Sequence, residues 1–326
     1  MKICVLGLDG AVPEVIFGDE RLVNIRRLMD LGVYGRLASV VPADTIPGWM
    51  CMCTSREPGS LGAIGSLPES ASSPAIAAIW DQLAHNGKTS IIVGVPPNHP
   101  PRLIHGISIG CFLTPDPVKD EFTHPPSVKA KLTELCGEYP TDVKDFRTGA
   151  KDRVKDEIFA MSRKQWQVVR WLLSEQEWDY FHFVDIGLDR IQQLFWNHFD
   201  PRQALYEPGN PYARVISDYC LHVDEQIGAA LELMDSETIV LVASAHGNHT
   251  PRGMFILAAP NCPLSGEYEG ARLLDIAPTL LDLAGYEIAE GMQGRSLIAG
   301  LEKKGPGGGQ DSEKLIHDRL AGLGYI

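Results

Sequence analysis

Short apolar runs that alternate with amphipathic segments constrain the fold of this chain more than any other feature of its sequence. The runs are bounded by Gly, Pro or Asp and occupy residues 3–8, 90–95, 180–184, 238–244 and 254–258. Between them the apolar spacing predicts helices over residues 23–31, 74–86, 158–175, 211–233 and 271–284. Continuous apolar runs are typical of strands buried on both faces of a sheet. The alternation therefore predicts an α/β fold with a mostly parallel central sheet and helices on both faces.

The length of the chain, 326 residues, suits one large domain, and we expect a single domain over residues 1–326. A segment rich in Pro and His, residues 96–146, predicts a small cap-like insertion over the functional site. Residues 303–312 contain Gly-Pro-Gly-Gly-Gly, which predicts a flexible linker to a C-terminal helix.

Charge and composition argue against several classes of protein. Lys and Arg number 29 against 42 Asp and Glu, so the net charge of −13 leaves no broad basic face for a nucleic acid duplex. No apolar run reaches the roughly 18 residues of a membrane helix, and the N-terminal run is too short for a signal peptide. The seven cysteines are scattered without zinc-site spacing, which favours free buried thiols. We expect a cytoplasmic protein that does not associate with membranes.

Polar side chains follow three of the predicted strands, and a further polar residue, Thr45, begins what the sequence predicts as an additional helix. Asp9 and Asp189 come after strands, Thr45 starts a helix, and His246 and His249 follow the strand at 238–244. Asp9 and Thr45 are as typical of helix caps or turns as of a functional site, whereas the position of Asp189 between a strand and a helix favours function, with a helix cap as the alternative. Two histidines three residues apart at a strand end favour metal ligation. Because ligands bind beyond the carboxyl ends of parallel strands, we expect these side chains to form one site.

Nine stretches of the sequence resemble the type I phosphodiesterase/nucleotide pyrophosphatase family of the alkaline phosphatase superfamily. They include Thr45-Ile-Pro-Gly-Trp49, Asp189-Arg-Ile-Gln-Gln-Leu-Phe-Trp196 and Ser244-Ala-His-Gly247, together with residues 5–11, 24–36, 54–59, 206–212, 275–279 and 323–326. Their order and spacing extend the resemblance over nearly the whole chain. The resemblance implies an alkaline phosphatase-like fold and a centre of two divalent metals, usually zinc, that hydrolyses phosphate esters.

The resemblance also implies roles for individual residues. Thr45 would be the nucleophile that attacks phosphorus. One metal would be held by Asp9, Thr45, position 245 and His246, and the other by Asp189, position 193 and His249. A metal activates a hydroxyl by lowering its pKa, and two metals about 4 Å apart stabilise both the attacking and the leaving oxygen.

The chain departs from the family pattern at two of these ligand positions. Ala245 stands where the family has Asp, and Gln193 stands where it has His. Ala offers no ligand atom, and the amide oxygen of Gln binds zinc more weakly than imidazole does. Each of the two metals, whether zinc or manganese, would therefore lose one ligand.

Three explanations of these departures stay open on the sequence alone. An engineered change at Ala245 would leave Gln193 unexplained. The chain could be a catalytically inactive homologue that acts as a small-molecule binding or scaffold protein. It could also remain active with one metal, or with neighbours that complete the altered sites; these are Asp44, Asp185, Gln192, Asn248 and His182.

From these alternatives we expect a metal-dependent phosphate-ester hydrolase of phosphodiesterase or phosphatase type, with Thr45 as nucleophile and a phosphorylated small molecule as substrate. A sulfatase is not expected, because that branch requires Cys or Ser in a C/S-x-P-x-R context where this chain has Thr45 and Trp49.

Overall fold

A computed structural model of the protein describes residues 1–62, 77–204, 206–248 and 250–301. His249, the predicted linker at 303–312 and the predicted C-terminal helix lie outside the described residues. Among the described helices, none combines the length and the apolar character that crossing a membrane requires.

A nine-stranded sheet forms the centre of the described part of the chain. Its strands are β1 (Ile3–Leu8), β2 (Val33–Ala38), β3 (Ser90–Val93), β4 (Gly106–Ile109), β5 (Thr123–His124), β6 (Tyr180–Asp185), β7 (Ile239–Ser244), β8 (Arg252–Ala258) and β9 (Gly266–Glu267). They lie in the order β5-β4-β3-β6-β1-β7-β8-β2-β9. The five neighbouring strands β4, β3, β6, β1 and β7 are parallel to one another. In contrast, β8 is antiparallel to both of its neighbours, β7 and β2. The predicted mostly parallel sheet is confirmed.

Helices cover both faces of this sheet, as the sequence predicts. They are α1 (Pro13–Gly18), α2 (Val23–Leu31), α3 (Thr45–Thr54), α4 (Pro58–Leu61), α5 (Ile79–His85), α6 (Ser127–Cys136), α7 (Lys151–Glu175), α8 (Gly187–Phe199), α9 (Val215–Leu231) and α10 (Ile276–Leu283). Cys4 and Leu6 of β1 pack in one core cluster with α2, α7, α8 and α9. Ile3 and Val5 pack in a second cluster with α3, α5 and α10. This alternation requires both faces of β1 to be apolar.

The sequence analysis did not predict the strands near the edges of the sheet, which are β2, β4, β5 and β9. In β2 the buried residues alternate with half-buried or exposed ones, so the strand has no continuous apolar run. Within residues 96–146 the chain forms β4, β5 and α6, and β4 and β5 extend the sheet beyond β3. The role of this segment as a cap over the site stays a prediction.

His182 on β6 is buried in the core rather than at the edge of the sheet where ligands bind. Its Nδ1 lies 3.0 Å from the Tyr180 hydroxyl, and its ring packs edge-on against Trp49 at 5.6 Å. Burial lowers the pKa of His182 to about 3. This histidine is therefore a neutral core residue, and the structure gives no support to its use as a metal ligand.

Acid should destabilise the protein through His182. The unfolded chain binds this proton near pH 6.5, whereas the folded chain binds it only near pH 3, so the free energy of unfolding falls as pH decreases through that window. Between pH 7.5 and 5.0 the loss should be about 2 kcal/mol, at about 1.4 kcal/mol per pKa unit. Urea unfolding at both pH values should show a smaller loss in His182→Gln than in the wild type. The exposed His85 provides the control: if His85→Gln reduces the loss equally, the assignment to His182 is wrong.

Candidate active site

Three neighbouring strands bring the predicted site residues to one edge of the sheet. β1 lies between β6 and β7, with Leu8 opposite Asp185 and Gly7 opposite Ala243. Asp9 follows β1, α8 begins two residues after β6 and carries Asp189, and His246 follows β7. Asp9, Asp189 and His246 are all buried. The sheet therefore assembles these three side chains as the sequence predicts.

Thr45 reaches the same edge because α3 begins at this residue. Asp44 precedes the helix in an extended conformation, and its Oδ1 accepts a hydrogen bond from the Thr45 amide at 2.8 Å. The Thr45 hydroxyl donates to Asp9 Oδ2 at 2.7 Å and lies 3.2 Å from His246 Nε2. His246 Nε2 is itself 3.6 Å from Asp9 Oδ1. Thr45, Asp9 and His246 thus form one compact group, which we call the threonine group.

Trp49 holds the Asp9 carboxylate in this arrangement. Its indole Nε1 donates to Asp9 Oδ1 at 2.7 Å, so each carboxylate oxygen accepts a hydrogen bond from a residue of α3. A Cβ on Gly7 would lie 2.5 Å from the Trp49 ring, so the indole can reach Asp9 only across a glycine. Sequence reasoning did not identify this role, although the four-residue spacing of Thr45 and Trp49 places them on one helix face.

Ala245 lies directly against the first turn of α3. Its Cβ is 2.8 Å from the position that a Cβ on Gly48 would occupy, and its side chain is fully buried. Ser39 Oγ donates to the Ala245 carbonyl oxygen at 2.8 Å and fixes this backbone. Where the resemblance implies a carboxylate, the threonine group therefore has a methyl group packed on a glycine.

Asp189 belongs to a second group, in which its carboxylate accepts three hydrogen bonds from side chains. Arg190 Nη1 and Gln193 Nε2 each donate to Oδ2 at 2.6 Å, and Asn248 Nδ2 donates to Oδ1 at 3.2 Å. Arg147 Nη2 donates to the Gln193 oxygen at 3.2 Å. In this arrangement the Gln193 oxygen faces Arg147 and its N–H group faces Asp189, and the use of that oxygen as a metal ligand stays a prediction.

The environment of Asp189 opposes its ionisation. Burial, followed by the negative charge of Asp9, raises the pKa of Asp189 to about 6, against the opposing effect of Arg190. Arg190 is itself held by Asp142, which accepts from Nε at 2.9 Å and from Nη2 at 2.7 Å. Asp142 and Arg147 are more than 40 positions from their partners on α8, so no local sequence pattern could have identified them.

The neighbours considered as substitute ligands mostly have structural partners. Asp185 accepts from Ser162, Trp166, Tyr219 and the Gly187 amide. Asp44 caps α3, and Asn248 donates to Asp189. Gln192 donates to the Gly10 carbonyl at 2.7 Å, while its buried Oε1 has no partner in the described part of the chain.

The two groups differ in how well they fit a metal ion. Within the described residues, no three His, Cys, Asp or Glu side chains lie close enough together to hold one. The threonine group has two such side chains, Asp9 and His246, and the Thr45 hydroxyl as a third donor. Its oxygen and nitrogen donors fit one divalent cation. At the Asp189 group, the Asp189 carboxylate is the one candidate ligand among the described residues, and N–H donors of Arg190 and Gln193 face its Oδ2.

Comparisons with known proteins agree with this architecture. The family described as type I phosphodiesterase / nucleotide pyrophosphatase matches residues 3–252. A comparison with curated proteins gives no match.

Several solved structures share the fold at low sequence identity. A phosphonate monoester hydrolase from Silicibacter pomeroyi is 13% identical, with a TM-score of 0.58 over 94% of this chain and 77% of that one. Human ectonucleotide pyrophosphatase / phosphodiesterase 5 is 11% identical, with a TM-score of 0.54 over 89% and 96% of the two chains. A 2-O GAG sulfatase is 14% identical, with a TM-score of 0.57 over 93% and 75%.

Proposed function

The chain belongs to the type I phosphodiesterase/nucleotide pyrophosphatase family, and from this membership we propose that it hydrolyses phosphate esters with Thr45 as the nucleophile and one divalent cation in the threonine group. The geometry of the Thr45 hydroxyl carries the proposal. This hydroxyl lies 2.7 Å from Asp9 Oδ2 and 3.2 Å from His246 Nε2, so the donor atoms that would hold a cation surround one weak nucleophile.

Asp9, Thr45 and His246 would hold the cation. When bound, it would lower the pKa of the Thr45 hydroxyl and offset the charge of the phosphate. Thr45 Oγ1, its proton released to water, would then attack phosphorus, and the P–O bond to the alcohol would break as that oxygen takes up a proton from water. Water hydrolyses the resulting phosphothreonine ester and regenerates the hydroxyl. Trp49 keeps Asp9 oriented throughout by donating to its other oxygen.

The charge balance of the site supports a bound cation. Asp9 and Asp189 are buried close together, and their mutual repulsion contributes to the raised pKa of Asp189. Arg190 is shared between Asp189 and Asp142, so it cannot offset both of the buried carboxylates. A phosphate anion would meet net negative charge at this edge of the sheet. A divalent cation beside Asp9 would remove that repulsion.

A second candidate function is phosphate-ester binding without hydrolysis. The hydrogen bonds of Asp189 favour it, because Arg190 and Gln193 donate to the carboxylate oxygen that could otherwise bind a second metal. In that case the same ligand class would bind, and its P–O bonds would stay intact.

An ester-hydrolysis assay separates the two candidates. The full chain is equilibrated with zinc or manganese and assayed with bis(p-nitrophenyl) phosphate and p-nitrophenyl phosphate. We expect p-nitrophenol release that a chelator abolishes and added metal restores. No release from either ester with either metal would contradict the proposed hydrolysis, and phosphate binding by the same protein would then support the second candidate.

A further inference from the structure

We propose that Arg147 binds the phosphate group of the ester, on the Asp189 side of the site. The inference rests on the proposed function, because it assigns a ligand-binding residue to the same site. A loop, residues 142–147, contacts the first two turns of α8 through three of its side chains.

The three contacts join this loop to the residues around Asp189. Asp142 binds the Arg190 guanidinium through both oxygens, at 2.9 and 2.7 Å. The ring of Phe146 lies 4.6 Å from the Arg190 guanidinium carbon and 5.3 Å from that of Arg147. Arg147 donates to Gln193 Oε1 at 3.2 Å. The loop therefore holds the Arg190 guanidinium beside the Asp189 carboxylate and the Arg147 guanidinium beside Gln193, which itself donates to Asp189.

The two arginines differ in how their charge is used. Arg190 is buried and forms ion pairs with Asp142 and Asp189. Arg147 is exposed, and within the described residues it forms no ion pair. The charge of Arg147 is therefore available to a ligand, whereas the charge of Arg190 is offset by Asp142 and Asp189.

Gln193 connects Arg147 to Asp189. Its oxygen accepts a hydrogen bond from Arg147, and its N–H group donates to the Asp189 carboxylate. A cation is needed here because the carboxylates of Asp9 and Asp189 repel an anion. A guanidinium group suits the task because it is always charged and presents planar N–H donors to phosphate oxygens.

Binding of inorganic phosphate to the zinc-equilibrated full chain, measured by calorimetry, tests this assignment. Arg147→Met keeps the length of the side chain and removes its charge, and should weaken binding about 10-fold, since a charge-assisted hydrogen bond is lost. Arg147→Lys should recover part of the affinity. Arg153→Met is the matched control, because Arg153 is also exposed but pairs with Glu157 on α7; its affinity should stay that of the wild type.

The outcomes distinguish this inference from the proposed function. Weaker phosphate binding in Arg147→Met alone, with unchanged thermal unfolding, supports it, and weaker salt dependence of that binding would strengthen it. Equal phosphate binding by the wild type and Arg147→Met would overturn the role of Arg147, while ester hydrolysis by the wild type would leave the proposed function standing. Charge-dependent binding without any hydrolysis would support Arg147 and contradict the proposed nucleophilic role of Thr45.

Discussion

Thr45→Ala is expected to reduce the hydrolysis of bis(p-nitrophenyl) phosphate by at least about 10³-fold, since removal of a nucleophile leaves only the effects of binding and charge. The protein should remain folded. The lost hydroxyl makes two polar contacts, with Asp9 and His246, while the backbone of the residue is held by Asp44. The measurement is kcat/KM for the ester, together with thermal unfolding of both proteins.

Thr45→Ser provides the control for this variant. Serine keeps the hydroxyl that contacts Asp9 and should retain most of the activity. A fully active Thr45→Ala protein would contradict the assignment of the nucleophile. Equal loss in both variants would show instead that the threonine methyl group, and not the hydroxyl, supports the site.

Introducing the two ligands that the resemblance implies, with Ala245→Asp and Gln193→His together, is expected to raise the zinc content from one to two equivalents per chain. The imidazole would place a ring nitrogen near Asp189 where Gln193 now places an N–H donor. The new carboxylate would start from a Cβ already packed against Gly48, beside the threonine group. Each restored ligand should tighten zinc binding by at least about 10-fold.

Single variants and a distant histidine control this experiment. Ala245→Asp should tighten the first cation, and Gln193→His should be required for the second. Gln167→His adds a histidine to the exposed face of α7 and should add no tightly bound zinc. If the double variant still binds a single equivalent, the pocket has diverged at more than these two positions.

The continuous apolar runs made the centre of the fold predictable. The sequence-predicted strand at residues 3–8 coincides with β1, because both of its faces are buried and every residue had to be apolar. The same reasoning placed Asp9 and His246 at one edge, since the ends of parallel strands determine where the following residues lie. Shorter and half-exposed strands such as β2 carried no such signal.

The residues that orient the site were harder to predict from the sequence. Trp49 could have been found from its helical spacing to Thr45, but its contact with Asp9 also depends on the absence of a side chain at Gly7. The direction of the Gln193 amide is set by Arg147, 46 positions earlier in the chain. Such orientation depends on tertiary contacts, which residue type and spacing alone do not determine.

The metal content of the wild-type protein tests the central claim most directly. The full chain is equilibrated with zinc or manganese, freed of excess metal and measured by elemental mass spectrometry. One equivalent per chain, reduced to near zero in Asp9→Asn, is the result we predict. Two equivalents would show that substitute ligands rebuild a second position beside Asp189, and none would contradict a cation-dependent threonine group.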